Sequence, residues 1–215
     1  MTEVNNIVKE FFKKYPLKEF KRGQVIISPS KTIDSTYYLI NGYVKQYTIS
    51  KDGRVKAVNI YKPCSYFPIV AALANFENKY FYEAINKVRV YQAPSSEVLG
   101  FTKQNSEVIE DLLQRFLVGV DGVLNIMQSI MYESSQKKLA SFILMLSSRF
   151  GRSKGNAITI DVPLTHQDLA SFTGMIRETV SFEMKKLQKQ GIIASNNRRK
   201  NITISNISAL KKILD

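Results

Sequence analysis

A chain of 215 residues has room for one large or two small domains, and a 44% hydrophobic content is enough to fill a core, which excludes wholesale disorder. Lys and Arg number 31 against 18 Asp and Glu, a net charge of +13 that points to a polyanionic partner: nucleic acid, an anionic membrane surface or an acidic protein. The single cysteine, Cys64, and the single histidine, His166, exclude an internal disulfide framework, a cysteine-held cluster or zinc site, and a haem held by two histidines, so no metal and no cofactor is expected.

The N-terminal stretch Met1 to Lys14 carries charges throughout and lacks the apolar centre of a signal peptide. The longest apolar run, Phe67 to Ala74, is too short to span a bilayer. A soluble, cytoplasmic protein is the expectation. A short helix is predicted from Asn5 to Tyr15, with Pro16 as its exit. Short β-branched and aromatic runs follow: Val25 to Ile27, Thr36 to Ile40, Tyr43 to Ile49, Val55 to Tyr61, Tyr80 to Ile85 and Val88 to Gln92. Asn41–Gly42 is a strong hairpin signal, because both residues tolerate positive φ. Many short strands with turn signals between them predict a sandwich or jelly-roll barrel.

From about Asn105 the period changes. Ile109, Leu112, Leu113, Phe116, Leu117, Val120, Val123, Leu124, Met127, Ile130 and Met131 fall at steps of three and four, which predicts one long helix. Its apolar stripe is wide. Leu112, Phe116, Val123, Met127 and Ile130 are placed to cover the β domain. Leu113, Leu117, Val120, Leu124 and Met131 are left for a second copy of the helix, since the chain has no other helix of this length. Gly119 and Gly122 lower the helix propensity and suggest a close backbone approach.

A helix from Glu133 to Phe150, a basic loop over 151–156, and a strand from Ala157 to Val162 come next. Residues 1–131 hold 17 basic and 12 acidic residues, and residues 132–215 hold 14 and 6, so the surplus is concentrated toward the C-terminus. Thr165, followed three positions later by Asp168, opens a helix as a capping-box variant. Thr173–Gly174 breaks it, and a second helix runs from near Met175 to Gln190 with Ile176, Val180, Met184 and Leu187 as its apolar stripe. Two short helices joined by a tight glycine turn form a helix-turn-helix. The second helix then presents Arg177, Glu178, Ser181, Lys185 and Lys189 outward. Arg177 suits guanine O6 and N7, Glu178 accepts from cytosine N4, and Ser181 lies on the same base-facing side. Thr165, Gln167, Thr179 and Lys185 suit phosphate contacts. The strands Ile192–Ala194 and Ile202–Ile204 flank a basic tip, Arg198, Arg199 and Lys200, which forms a wing for the phosphate backbone. A short helix closes the chain.

The segment from Thr165 to Gly174, followed by Arg177-Glu178-Thr179-Val180-Ser181, resembles the winged-helix signature of the CRP/FNR superfamily of bacterial transcription regulators. The order of domains is similar over nearly the whole chain, and the motif-specific stretch is about its last fifty residues. The resemblance implies an α+β protein. A β-roll, cyclic-nucleotide-binding-like sensor domain over 1–104 and a dimerisation helix over 105–131 precede a winged helix-turn-helix domain over 132–215. It implies a homodimer bound to a pseudo-palindromic operator in double-stranded DNA, RNA polymerase as a partner, and no enzymatic activity. In that family a third base reader, usually Arg, falls on Phe182 here, where packing or a thymine methyl contact takes its place. The Gly-Glu and Arg-Ser pairs of cyclic-nucleotide sites are missing around Cys64 to Leu73 and Asn78 to Glu83, so the usual cyclic-AMP binding is not expected. Tyr66, Phe67, Lys79, Tyr80 and Tyr82 occupy the corresponding stretches and are the candidate pocket for an effector.

Two other classes stay open on the residues alone. One is a ligand-sensing regulatory module whose winged helix mediates protein contacts. The other is an enzyme with Cys64 as thiol nucleophile and His166 as base, which the separation of the two residues into different predicted domains disfavours.

Overall fold

The computed structural model describes residues 3–30, 32–132, 134–196 and 201–215. The chain divides into two compact units, one of Met1–Thr48 with Asn59–Gly119, the other of Ile49–Val58 with Val120–Asp215.

Helix α1 (Glu3–Phe12) buries Val8 and Phe12. It ends three residues short of the expected Tyr15, because the chain tightens into turns before Pro16. The strands β1 (Leu17–Phe20), β2 (Val25–Ile27), β3 (Ser35–Asn41), β4 (Val44–Ile49), β5 (Val55–Tyr61) and β6 (Tyr66–Phe67) follow. Then come helix α2 (Ile69–Ala74), strands β7 (Phe81–Ala84) and β8 (Val88–Pro94), and helix α3 (Ser95–Gln104). The strands form two four-stranded sheets, β1-β8-β3-β6 and β2-β7-β4-β5, the β-roll that the resemblance implied, with β1 and β6 added to the six expected runs.

Strand alternation gives the β-roll a pair of apolar clusters. Tyr38 and Tyr66 point to one side, where they meet Phe12, Val98 and Val108. Their neighbours Leu39 and Phe67 point to the other, where they meet Val44, Tyr82, Val88 and Val90. Asn41–Gly42 does not close a hairpin of paired strands. Strand β3 pairs with β8 and β6, whereas β4 pairs with β7, so the turn carries the chain from one sheet to the other. It is pinned by Tyr43 N–H donating to Asn86 Oδ1 at 2.8 Å and by Ile85 N–H donating to the Tyr43 carbonyl at 2.9 Å.

Helix α4 (Ser106–Met131) is the long helix expected. Val108 is buried and Leu112 packs against the α1 cluster. Of the other residues on the face expected to cover the β domain, Phe116, Val123, Met127 and Ile130 are exposed. Leu113, Leu117, Val118, Val120, Leu124 and Met131 are exposed as well, so the wide stripe is largely uncovered within the chain. Among the described apolar side chains of this helix, Val108 and Ile126 are the buried ones.

The C-terminal region of the second unit opens with α5 (Ser135–Phe150), which buries Leu139, Phe142, Ile143, Leu146 and Phe150. The basic loop expected over 151–156 is instead a hairpin: β9 (Gly151–Lys154) pairs with β10 (Ala157–Ile160) around the two-residue turn Gly155–Asn156. The lysine and arginine content masked a short turn signal. Helices α6 (His166–Thr173) and α7 (Arg177–Lys189), strands β11 (Ile193–Asn196) and β12 (Asn201–Ile204), and helix α8 (Ile207–Lys212) complete the chain. The third sheet has the order β11-β12-β10-β9. Phe142 of α5 stacks on Phe172 of α6 with centroids 5.1 Å apart, which ties the helix-turn-helix to the core. Among the described residues no helix is long and apolar enough to cross a membrane.

Gly42 has φ +91°, and a Cβ there would stand 2.5 Å from the Lys87 carbonyl oxygen. Both the backbone angle and the steric overlap oppose any side chain. Gly42→Ala should therefore destabilise the β-roll by at least about 2 kcal/mol, read as a lower midpoint in chemical denaturation followed by tyrosine fluorescence.

Candidate nucleic-acid interface

Helix α6 begins with the capping box read from the sequence. The Thr165 hydroxyl accepts from Asp168 N–H at 3.1 Å, and Asp168 Oδ2 accepts from Thr165 N–H at 2.9 Å. The helix ends at Gly174, whose φ of +69° is the left-handed cap that glycine adopts without strain. The Thr173 hydroxyl is buried and donates to the Leu169 carbonyl at 2.8 Å, which closes the last turn. Met175 and Ile176 form the rest of the connection.

Helix α7 starts at Arg177, two residues later than expected. Ile176 is its N-cap, not a member of its buried stripe, and is 61% exposed. The buried side consists of Val180, Met184 and Leu187, with Glu183 turned to it as well. A helix has one direction left once that side is fixed, and Arg177, Glu178, Phe182, Lys185 and Lys189 are all exposed there. The first turn carries no side-chain cap among the described residues, so the N–H groups at this end are left for an external acceptor.

The candidate contacts separate into two groups. Arg177, Glu178 and Lys185 are exposed on α7, and Gln167 is exposed at the start of α6. Thr179 is half-buried on α7. Thr165 and Ser181 are already committed: Thr165 by the capping box, and Ser181 through its hydroxyl, 2.7 Å from His166 Nδ1. This His166–Ser181 bond ties the first turn of α6 to α7, and sequence reasoning missed it, since nothing in a 15-residue separation marks such a pair. Arg198, Arg199 and Lys200 lie outside the described residues. The strands that lead to them are paired from Ile193↔Ile204 to Asn196↔Asn201, so the hairpin itself is longer than expected.

The candidate effector residues are not gathered. Tyr66 belongs to the cluster around Phe12, while Phe67 and Tyr82 stack 5.4 Å apart in the interior of the roll. Lys79 and Tyr80 are exposed. The reason is the alternation that separates Tyr66 from Phe67 across one strand. Tyr37 and Tyr61 add their rings to Phe67, and Gln46 bridges the hydroxyls of Tyr61 and Tyr82 at 3.1 Å each. Burial pushes the Tyr82 and Tyr66 phenols above their usual range. A cavity of about 260 Å³ opens beside this interior, lined by residues that include Ile26, Asp34, Tyr37, Pro68 and Asn78. On the other side of the roll, Arg115 of α4 donates to Asn5 Oδ1 at 2.6 Å and to the Cys64 carbonyl at 3.2 Å, and pairs with Asp111. Cys64 thus sits in a structural turn with φ +70°, and His166 is partnered by Ser181. Among the described residues no group of three His, Cys, Asp or Glu could hold a metal ion.

The sequence matches the Crp-like helix-turn-helix domain over residues 137–213 and the cyclic nucleotide-binding domain over residues 17–105, which together span most of the chain. The chain belongs to the CRP/FNR superfamily of transcription regulators. Within the superfamily it is 27% identical over 198 residues to the global nitrogen regulator of Synechococcus elongatus, covering 91% of this chain and 88% of that one. Its fold is similar to that of FixK2 from Bradyrhizobium japonicum, with a TM-score of 0.76 at 18% identity, covering 92% and 96% of the two chains. A CooA variant from Carboxydothermus hydrogenoformans gives a TM-score of 0.81 at 14% identity, covering 100% and 96%. The CRP/FNR assignment makes the chain a DNA-binding transcription regulator with a β-rich N-terminal domain and a C-terminal helix-turn-helix, and its homologues are regulators, not enzymes.

Burial first, and then the positive charges of Arg177 and Lys185, hold His166 below the usual imidazole value of 6.5. The unfolded chain therefore binds more protons between the folded value and 6.5. The contribution of His166 to stability is complete above 6.5 and is lost as pH falls through that window. As the only histidine in the sequence, it gives a single imidazole Cε1–H resonance. That resonance should titrate below 6.5, and its midpoint should rise in Lys185→Ala.

Proposed function

We propose that this regulator binds a pseudo-palindromic operator as a homodimer, with α7 of each subunit in the major groove. The observation that carries this reading is the outward placement of Arg177 and Glu178 in the first turn of α7, beside helix N–H groups without a side-chain cap. Recognition helices direct that end toward base edges. Arg177 is the guanine reader and Glu178 the cytosine reader. Gln167, Thr179 and Lys185 meet phosphates on either side, with Arg198, Arg199 and Lys200 of the wing on the adjoining backbone. Thr165 and Ser181 act through their internal hydrogen bonds, by holding the start of α6 and its tie to α7. Duplex DNA is the partner that the concentrated positive charge of residues 132–215 fits, and a cytoplasmic location and RNA polymerase as a further partner belong to the same proposal.

The dimer forms through the exposed face of α4: Leu113, Leu117, Val120, Leu124 and Met131. The occupied interior around Phe67 and Tyr82 supports a sensor domain that does not bind cyclic AMP in the usual way. No catalytic role is proposed for any residue.

Selection of bound sequences from a random duplex pool tests the DNA reading. The expected result is an enriched, symmetric site with half-sites about one helical turn apart. On that site Arg177→Ala should cost about 1–3 kcal/mol and relax the preference at one position per half-site. An equal loss on every sequence would remove Arg177 from base reading. For the dimer, Leu117→Glu combined with Leu124→Glu places like charges on the uncovered face, and sedimentation should then show monomers where the parent chain is a dimer.

A further inference from the structure

Phe182 is 65% exposed in the middle of α7. The buried side of this helix is complete without it, since Val180, Met184 and Leu187 face the core at steps of four and three. Phe182 follows Glu178 by one helical turn and precedes Lys185 by three residues, so all three share the outward face. Ser181, its neighbour on that face, has its hydroxyl engaged by His166. The middle of the outward face is therefore a phenyl ring next to a carboxylate, and the neighbouring hydroxyl is tied to His166.

A single exposed apolar side chain is ordinary on a protein surface. On a helix whose outward face enters the major groove it has a defined consequence. The edges of guanine, cytosine and adenine offer donors and acceptors there, and an unpaired one facing a phenyl ring loses its water without replacement. The apolar feature of the major groove is the C5 methyl group of thymine. We propose that Phe182 is a specificity-determining residue that selects thymine, by contact between its ring and the C5 methyl, at a base step next to the one Glu178 reads. The inference rests on the reading of α7 as the recognition helix, and it adds a base choice that Arg177 and Glu178 do not make.

The test uses the full chain and the operator enriched from a random duplex pool. Each thymine of a half-site is replaced in turn by uracil, which keeps every hydrogen-bonding group and removes only the methyl. At one position per half-site uracil should weaken binding of the parent protein about fourfold, the worth of one buried methyl group. Phe182→Ala should bind the thymine and uracil operators alike at that position, while Phe182→Leu, still apolar, should keep some of the preference. Because Phe182 is outside the core, both variants should retain the parent's unfolding midpoint. The proposal is overturned if no thymine is sensitive to loss of its methyl, or if the uracil penalty is unchanged in Phe182→Ala. A pool that yields no enriched sequence at all is a different result, and removes the recognition-helix reading together with the proposal.

Discussion

The buried side of α7 is the constraint on which the DNA-binding half depends. Val180, Met184 and Leu187 face the core, so the orientation of Arg177, Glu178, Phe182 and Lys185 is fixed by packing and not by any interaction of their own. The rest of the unit holds that one rotation in place. Phe172 stacks on Phe142 of α5, Gly174 turns the chain without strain, and His166 links the start of α6 to Ser181. An outward side chain on such a helix can be exchanged without loss of fold, whereas an exchange of Val180 or Leu187 would leave a cavity costing about 2–5 kcal/mol and free the helix to rotate. Change of the exposed side chains and maintenance of the fold are thus separated onto two faces of one element.

Helix α4 shows the opposite condition. Its stripe is too wide for one chain to cover, and Leu113, Leu117, Val118, Leu124, Met127 and Met131 all remain more than half exposed. A contiguous apolar face of this length on a helix of 26 residues is not a stable surface in water. Gly119 has open space around it, so the backbone there is free to be approached closely. In the proposed dimer an identical helix would satisfy both features with one contact, because a two-fold axis presents the same stripe from the other side.

Much of this was legible in the sequence, and the failures share a cause. The capping box at Thr165, the αL turn at Gly174 and the stripe of α7 are local patterns, and each emerged where its residues placed it. Ile176 failed because a helix start depends on the turn that precedes it, and Met175 and Ile176 belong to that turn. Asn41–Gly42 has the composition of a hairpin, but composition specifies a turn and not its partner strands; here tertiary pairing sends β3 and β4 to different sheets. The effector residues failed for the same reason in reverse. Tyr66 and Phe67 are adjacent in sequence and therefore on opposite faces of β6. The His166–Ser181 bond and the Gln46 bridge between Tyr61 and Tyr82 join residues far apart in the chain, and no periodicity reports them.

That aromatic interior constrains how the N-terminal domain can respond to a signal. Tyr37, Phe67, Tyr82 and Tyr61 form a continuous set of ring contacts, with the Tyr61 and Tyr82 hydroxyls satisfied by Gln46. A charged ligand seated within the ring cluster itself would have to displace packed rings and break the Gln46 hydrogen bonds. The polar contacts that reach α4 lie on the other side of the roll, where Arg115 joins Asn5 of α1 and the Cys64 carbonyl next to β6. Strand β6 belongs to both sides at once, through Tyr66 toward Arg115 and Phe67 toward the ring cluster. Phe67 and Tyr66 share the backbone of this two-residue strand, so the ring cluster and the Tyr66–Arg115 contact with the long helix are joined through neighbouring residues of one element.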